Sequence, residues 1–270
     1  MMATDDIDTG GGDAGGSAGD PPVTRRPDHR RAAAVVLRCN DVTAECGGRP
    51  VRLDMVVRRG ELHHLAVTAD QSPESISRIL LGFQPLDRGQ IFFRRWPWRS
   101  MSTSDIYASR FRIARIVDTA AWVQNLDIRE NILWPMRHHG IAAATADQRL
   151  GAALDAMRSC EQTRAWTAMM LRLERCLDDR PAFVSPTVLR LAQWFRVLTF
   201  RPECVLACRP LRDIPVHHHA PLLRCVTTSL RSGTAWVWMS AEGADGLGEG
   251  QNVIWHDCPF GSPQTSESSR

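Results

Sequence analysis

Lysine is absent: all 33 basic residues of the 270 are arginine. That excludes any chemistry that needs a side-chain amine. No CxxC pair occurs among the eight cysteines, and the closest two in sequence are Cys204 and Cys208. Scattered thiols of this kind read as reduced core residues. No apolar run approaches the roughly 18 to 20 residues of a membrane-crossing helix. The N-terminal stretch, MMATDDIDTGGGDAGGSAGD, is acidic and glycine-rich with no apolar segment of signal-peptide type. The chain is therefore expected in the cytoplasm, and peripherally at the inner face of the membrane only through a partner. A net charge of +3 is too small to argue for nucleic acid. No internal repeat is visible.

What remains is the composition of a folded domain, with 43% hydrophobic and 23% charged residues. Residues 1–31 and 261–270 read as disordered tails around one domain over 32–260. AVVLRCNDVTAEC and VRLDMVV read as strands separated by the turn GGRP. RGELHHLAV is a buried strand that runs into SPESISRILLGF, where Ile76, Ile79, Leu80 and Phe83 recur at helical spacing. Ser72 as N-cap, Pro73 at the first helical position and Glu74 just inside start that helix. Gly82 and then Pro85 stop it. PLDRGQIFFRRW reads as a turn and a strand. Residues 124–200 are mostly helical, with strong candidates at 146–159 and 161–178. RPECVLAC and TAWVWMS suit a parallel sheet buried on both faces. Strands alternating with helices define an α/β fold with a helical insertion at about 119–182.

The order and spacing of these pieces over residues 33–258 resemble an ABC-transporter ATP-binding domain. Gly60-Glu61 leads to Gly82 at that family's separation. LLGFQPLDRGQIFF is similar to its "xxGxxxPxxGxIxx" segment, and NLDIRENILWPMRHHG to the "xxENIxxP" stretch after the Q-loop. VSPTVLRLAQWFRVLTFRPECVLACRP matches, without a gap, the run from signature motif to Walker B, and keeps the family's residue types at Ser185, Arg196, Leu198, Pro202, Glu203 and Pro210. The resemblance implies a P-loop NTPase-like α/β core, a mixed sheet flanked by helices, with a helical subdomain. NLDIRENILWPMRHHG also resembles the ATPases of Mla-type lipid importers.

Laid on that pattern, the functional positions hold the wrong chemistry. A phosphate loop needs glycines whose N–H groups close on phosphate, a lysine, and a Mg²⁺-binding hydroxyl. Val67, Asp70 and Ser72 stand at the glycine positions, Pro73 at the lysine, Glu74 at the hydroxyl and Ser75 after it. Asp70 and Glu74 put negative charge at a helix N-terminus that would otherwise attract phosphate. Walker B needs an Asp for the metal's water shell and a Glu for the attacking water, and Cys208 and Arg209 stand there. The signature run after Ser185 holds Pro186 and Thr187 for its glycines, and Val188 for its glutamine. Asp118 falls at the Q-loop glutamine and Ala241 at the switch histidine. Cys46 stands near the adenine-stacking aromatic.

Three histidine groups, His63-His64, His138-His139 and His217-His218-His219, invite a metal-site reading. None has ligand spacing, and a solvated or snorkelling surface is the expectation, with no metal. Tryptophans interleaved with arginines suit either single-stranded nucleic acid or a subunit interface. The resemblance favours the interface: Trp122, Trp134 and Arg137 would lie near the groove that receives a permease's coupling helix. The expected function is a non-catalytic structural or coupling subunit, with a permease or an intact ABC ATPase as partner, or as a dimer. No cofactor is expected and no nucleic acid. Two alternatives stay open: the ATP- and Mg-binding half of an asymmetric ABC pair, and a soluble regulatory or adaptor protein derived from an ABC ATPase.

Overall fold

The computed structural model describes residues 34–46, 49–68, 71–119, 121–241 and 253–256. Asp70, the turn glycines at 47 and 48 and the two expected tails lie outside them. An antiparallel sheet is built from β1 (Val35–Cys46), β2 (Arg49–Arg58), β4 (Arg88–Phe93) and β5 (Trp96–Pro97), in the order β2-β1-β4-β5. A second sheet, parallel throughout, runs in the order β6-β7-β8-β3-β9. Its strands are β3 (Leu62–Ala66), β6 (Ile113–Ile116), β7 (Cys204–Cys208), β8 (Ala235–Ser240) and β9 (Val253–His256).

Alternation along β7 and β8 explains their uninterrupted apolar sequence. Successive side chains point to opposite faces, and each face has its own core. Val205, Ala207, Trp236 and Trp238 join the core shared with the helical layer. Cys204, Leu206, Cys208, Ala235, Val237 and Met239 join the core between the two sheets. That second core also holds helix α1 (Pro73–Leu80), through Ile76, Ile79 and Leu80. Helix α2 (Thr103–Arg110) follows β5.

The helical layer comprises α3 (Ile128–His138), α4 (Ala143–Cys160), α5 (Arg164–Arg175), α6 (Pro186–Phe200) and α7 (His219–Arg231). α6 carries nine of its residues buried. Trp194 on it meets Trp236 and Trp238 of β8 at ring-centroid distances of 5.8 and 6.3 Å, and its indole N–H donates to Pro210 O. Among the described residues no helix is long and apolar enough to cross a membrane.

The antiparallel sheet carries a bulge in β1. The β1–β4 register slips between Asn40 and Thr43, where Asp41 takes φ 44°. Gly89, at φ 82°, faces this bulge, and a Cβ there would run into the Asn40 and Asp41 carbonyls.

The start of α1 is as the residues predict, with Ser72 at the N-cap position and Pro73 first, although the Ser72 hydroxyl makes no capping bond. Phe83 departs from expectation. The chain turns at Gly82, φ 66°, so Phe83 leaves the helical face and is half exposed beneath the Arg110 guanidinium. The histidine expectation is also corrected. His63 and His64 sit in the middle of the parallel sheet and are buried, and His218 is buried under Trp166. A central strand has no solvated face, so adjacent histidines on it must both find partners inside.

Candidate functional site

In open α/β sheets the crevice at the carboxyl ends of the strands is where ligands are received. Here that crevice collects side chains from the ends of β3, β6 and β7 and from the start of α1. Val67, just past β3, is fully buried and donates its N–H to Ser240 O at 3.0 Å. The turn then closes on itself. Thr68 N–H donates to Gln71 Oε1 at 3.0 Å, and Gln71 N–H to Thr68 O at 3.1 Å. Ser75 N–H donates to Ser72 O at 3.2 Å.

Glu74, one residue inside α1, accepts the Asp118 N–H at 2.6 Å and a hydrogen bond from the Arg115 guanidinium. Its charge is thus held against β6 rather than presented to the crevice.

Arg209 follows β7 and occupies the crevice itself. Its own N–H donates to Met239 O at 2.8 Å, with φ at 41°. Through Nη2 it donates to Thr68 O at 2.8 Å and Gln71 O at 2.6 Å. Through Nη1 it meets Asp118 Oδ2 at 2.6 Å. The other oxygen of Asp118 accepts from Arg212 Nη1 at 2.9 Å, a bond that raises the Arg212 pKa. Below them lies Arg190, buried on α6, which donates to Val117 O and to Asp118 O. Burial lowers its pKa, against the pull of Asp213. Gln193 Oε1 accepts the Val117 N–H at 2.9 Å.

This arrangement gathers loop carbonyls and a carboxylate around a guanidinium. A site for anionic phosphate gathers N–H groups and cations around an open space. Cys208 beside it is buried, and burial pushes its thiol pKa up, as an inert core cysteine.

The sequence-derived positions gather in part at the crevice and in part lie elsewhere. Val67, Ser72, Pro73, Glu74, Ser75, Asp118, Cys208 and Arg209 come together at the crevice. Ser185 and Pro186 start α6, whose first turn is tied to the chain after β7 by Thr187 Oγ1 donating to Asp213 O at 2.7 Å. Ala241 follows β8, exposed. Cys46 donates its thiol to Gln84 Oε1 at 3.1 Å. Arg115, Arg190 and Arg212 complete the crevice and were not singled out from sequence. Arg190 carries a signal, as the one charge within the mostly apolar stretch VLRLAQWF.

Trp122, Trp134 and Arg137 fall on one loop-and-helix unit around α3. Asp127 and Glu130 form a capping box at its start. Asn131 stitches the preceding loop to the helix: its Oδ1 accepts the Val123 N–H, and its Nδ2 donates to the carbonyls of Val123, Leu126 and Asp127. Pro135 has no N–H for the carbonyl four residues before it. That carbonyl, Asn131 O, instead accepts from Arg196 Nε at 3.1 Å. Arg196 also lies 4.5 Å over the Trp122 ring, and burial lowers its pKa to about 10. Trp134 is 48% exposed and stacks on His138. Arg137 faces Asp147 at 3.9 Å.

Two sheets of these orders, with α1 between them and a helical layer beneath, make an ABC cassette fold. A dimeric bacterial ABC transporter cassette, MJ0796, superimposes with a TM-score of 0.64 over 82% of this chain and 94% of its own, at 13% identity. No family model matches the sequence. The chain is a distant homologue of ABC transporter ATP-binding proteins. It is 24% identical over 172 residues to the methionine import ATP-binding protein MetN of Mesorhizobium japonicum, covering 60% of this chain and 46% of that protein. To the spermidine/putrescine import ATP-binding protein PotA of Frankia alni it is 22% identical over 160 residues, 59% of this chain and 30% of that one. The chain thus spans less than half the length of these relatives.

Proposed function

We propose that this protein is a non-hydrolytic counterpart of an ABC ATP-binding subunit, serving as scaffold and coupling surface for a permease or an intact ABC ATPase. One observation carries the reading. Arg209, at the position the family resemblance assigns to the water-activating carboxylate, fills the crevice and bonds Thr68 O, Gln71 O and Asp118. A triphosphate entering there would have to break these charge-assisted bonds. It would meet Pro73, which offers neither an N–H nor a cation. Among the described residues, the crevice carboxylates Glu74 and Asp118 are already engaged, Glu74 by Arg115 and Asp118 by two arginines.

The coupling half of the reading is supported by the α3 unit, where an exposed Trp134 stands on a helix whose entry loop is fixed by Asn131. Association with a membrane would come through the partner. The resemblance of residues 125–140 to Mla-type lipid importers makes a lipid-transport permease the first partner to test.

Two measurements test the proposal. Calorimetric titration of the pure protein with Mg-ATP should give no binding in the micromolar range. Micromolar binding would overturn the reading in favour of a composite ATP site. Affinity purification from gently solubilised membranes of the host should recover a permease or an intact ATPase in stoichiometric amount. Recovery of soluble partners alone would establish an adaptor instead.

A further inference from the structure

Away from the crevice, two cysteines 65 positions apart in sequence bring their Sγ atoms to 3.8 Å. Cys160 is the last residue of α4 and is half-buried, while Cys225 stands inside α7 and is buried. The Cys225 thiol also touches Sδ of Met157, one turn before Cys160 on the same face of α4. A disulfide holds its sulfurs at about 2.0 Å. The remaining gap between the sulfurs is under about 2 Å.

The pair is chemically asymmetric. The hydrogen bond shared with Cys225 and the charge of Arg224 hold the Cys160 thiol below its ordinary pKa. That same hydrogen bond, together with burial, pushes Cys225 up. Arg224 is itself fixed beside the pair by an ion pair with Glu161. Cys39, Cys204 and Cys208 lie instead in the inter-sheet core, where burial pushes their thiols up. Ionised, accessible thiols are the ones that react.

We propose that Cys160 and Cys225 form a reversible disulfide site for disulfide-type oxidants such as oxidised glutathione, with Cys160 as the attacking thiol and Cys225 as the resolving one. Cys160 thiolate attacks one sulfur of the glutathione disulfide, and a glutathione thiolate leaves with the bonding pair. Cys225 then gives its proton to solvent, attacks Cys160 Sγ and expels the second glutathione. Both protein thiols are oxidised, and one glutathione disulfide is reduced to two glutathione thiols. The product ties the end of α4 to α7, joining two helices of the helical layer.

Oxidised glutathione applied to the full chain, followed by alkylation and peptide mapping without reductant, tests this. The expected product is a monomer about 2 Da lighter, with Cys160 and Cys225 peptides linked, a raised melting midpoint, and full reversal by dithiothreitol. Cys160→Ser should abolish the reaction, and Cys225→Ala should stop it at a glutathione adduct on Cys160. The wild-type map needs no variant to fold. An unmodified wild-type chain, a persistent glutathione adduct on it, or a crosslink through Cys258 or between chains would each overturn the assignment.

Discussion

Arg209 and Asp118 meet at 2.6 Å between Nη1 and Oδ2, with the Asp118 side chain 9% exposed and that of Arg209 19%. One comes from the end of β7 and the other from just past β6, so the ion pair bridges neighbouring strands at their carboxyl ends. The same guanidinium reaches two carbonyls after β3. Breaking it would strand acceptors on both sides.

Replacing Arg209 by alanine is therefore expected to lower stability by about 1.5–3 kcal/mol, the range for hydrogen bonds to charged groups with shielded partners. Asp118→Asn should cost less, because the amide oxygen still accepts. Urea midpoints of the two single variants and the double variant check this. A coupling term near zero would mean that the pair does not act as a unit.

Trp194 is expected to be among the most costly core residues to truncate. Its ring lies between α6 and the two tryptophans of β8, fully buried, with its N–H committed to Pro210 O. Trp194→Ala should cost about 3–5 kcal/mol, and Trp194→Phe appreciably less. Thermal and urea unfolding give the cost, and near-ultraviolet circular dichroism should lose a band from the indole cluster.

Acid should weaken the protein through His63. Its Nε2 lies 3.3 Å from Glu61 Oε2 and its Nδ1 2.8 Å from His256 Nε2. With Nε2 protonated toward Glu61, Nδ1 accepts from His256. Burial lowers the His63 pKa from 6.5 to about 4, outweighing the pull of Glu61. The unfolded chain then takes up a proton at higher pH than the folded one. Stability is full above 6.5 and falls as pH drops from 6.5 toward about 4. Urea midpoints measured across that window should decline in the wild type and decline less in His63→Gln. Equal slopes would assign the acid sensitivity elsewhere.

Trp134 is expected to matter for partners and not for folding. It is half exposed on α3, so Trp134→Ala should shift stability by within about 0.5 kcal/mol. Recovery of the permease or ATPase partner by affinity purification should drop sharply. Unchanged recovery would move the docking surface away from α3.

Part of the fold could be read from residues, where a strand or helix start carried a local cause. Pro73 behind Ser72 and the apolar CVLAC and AWVWM each announce their element. The resemblance assigns Val67, Ser72, Glu74, Asp118 and Arg209 to one site by spacing, and these residues do gather at one crevice. Their mutual bonds could not be read that way. Nothing in the chain near Arg209 says that its guanidinium reaches Thr68, 141 positions away. The buried histidines were misjudged for a related reason. His63 and His64 lack ligand spacing, but their partners, His256 and Ser240, lie across the sheet and far along the chain. Phe83 was assigned to a helical face by periodicity alone, and the positive φ of Gly82 overruled it.

Arg209 also has a mechanical consequence. Its backbone is bonded to β8, and its side chain to Asp118, two residues past β6, and to the turn after β3. One residue of β7's own continuation thereby clasps the ends of four adjacent strands. A pull on any of those ends would be shared by the other three, so the rim of the sheet would yield as a hoop and not as four separate fingers.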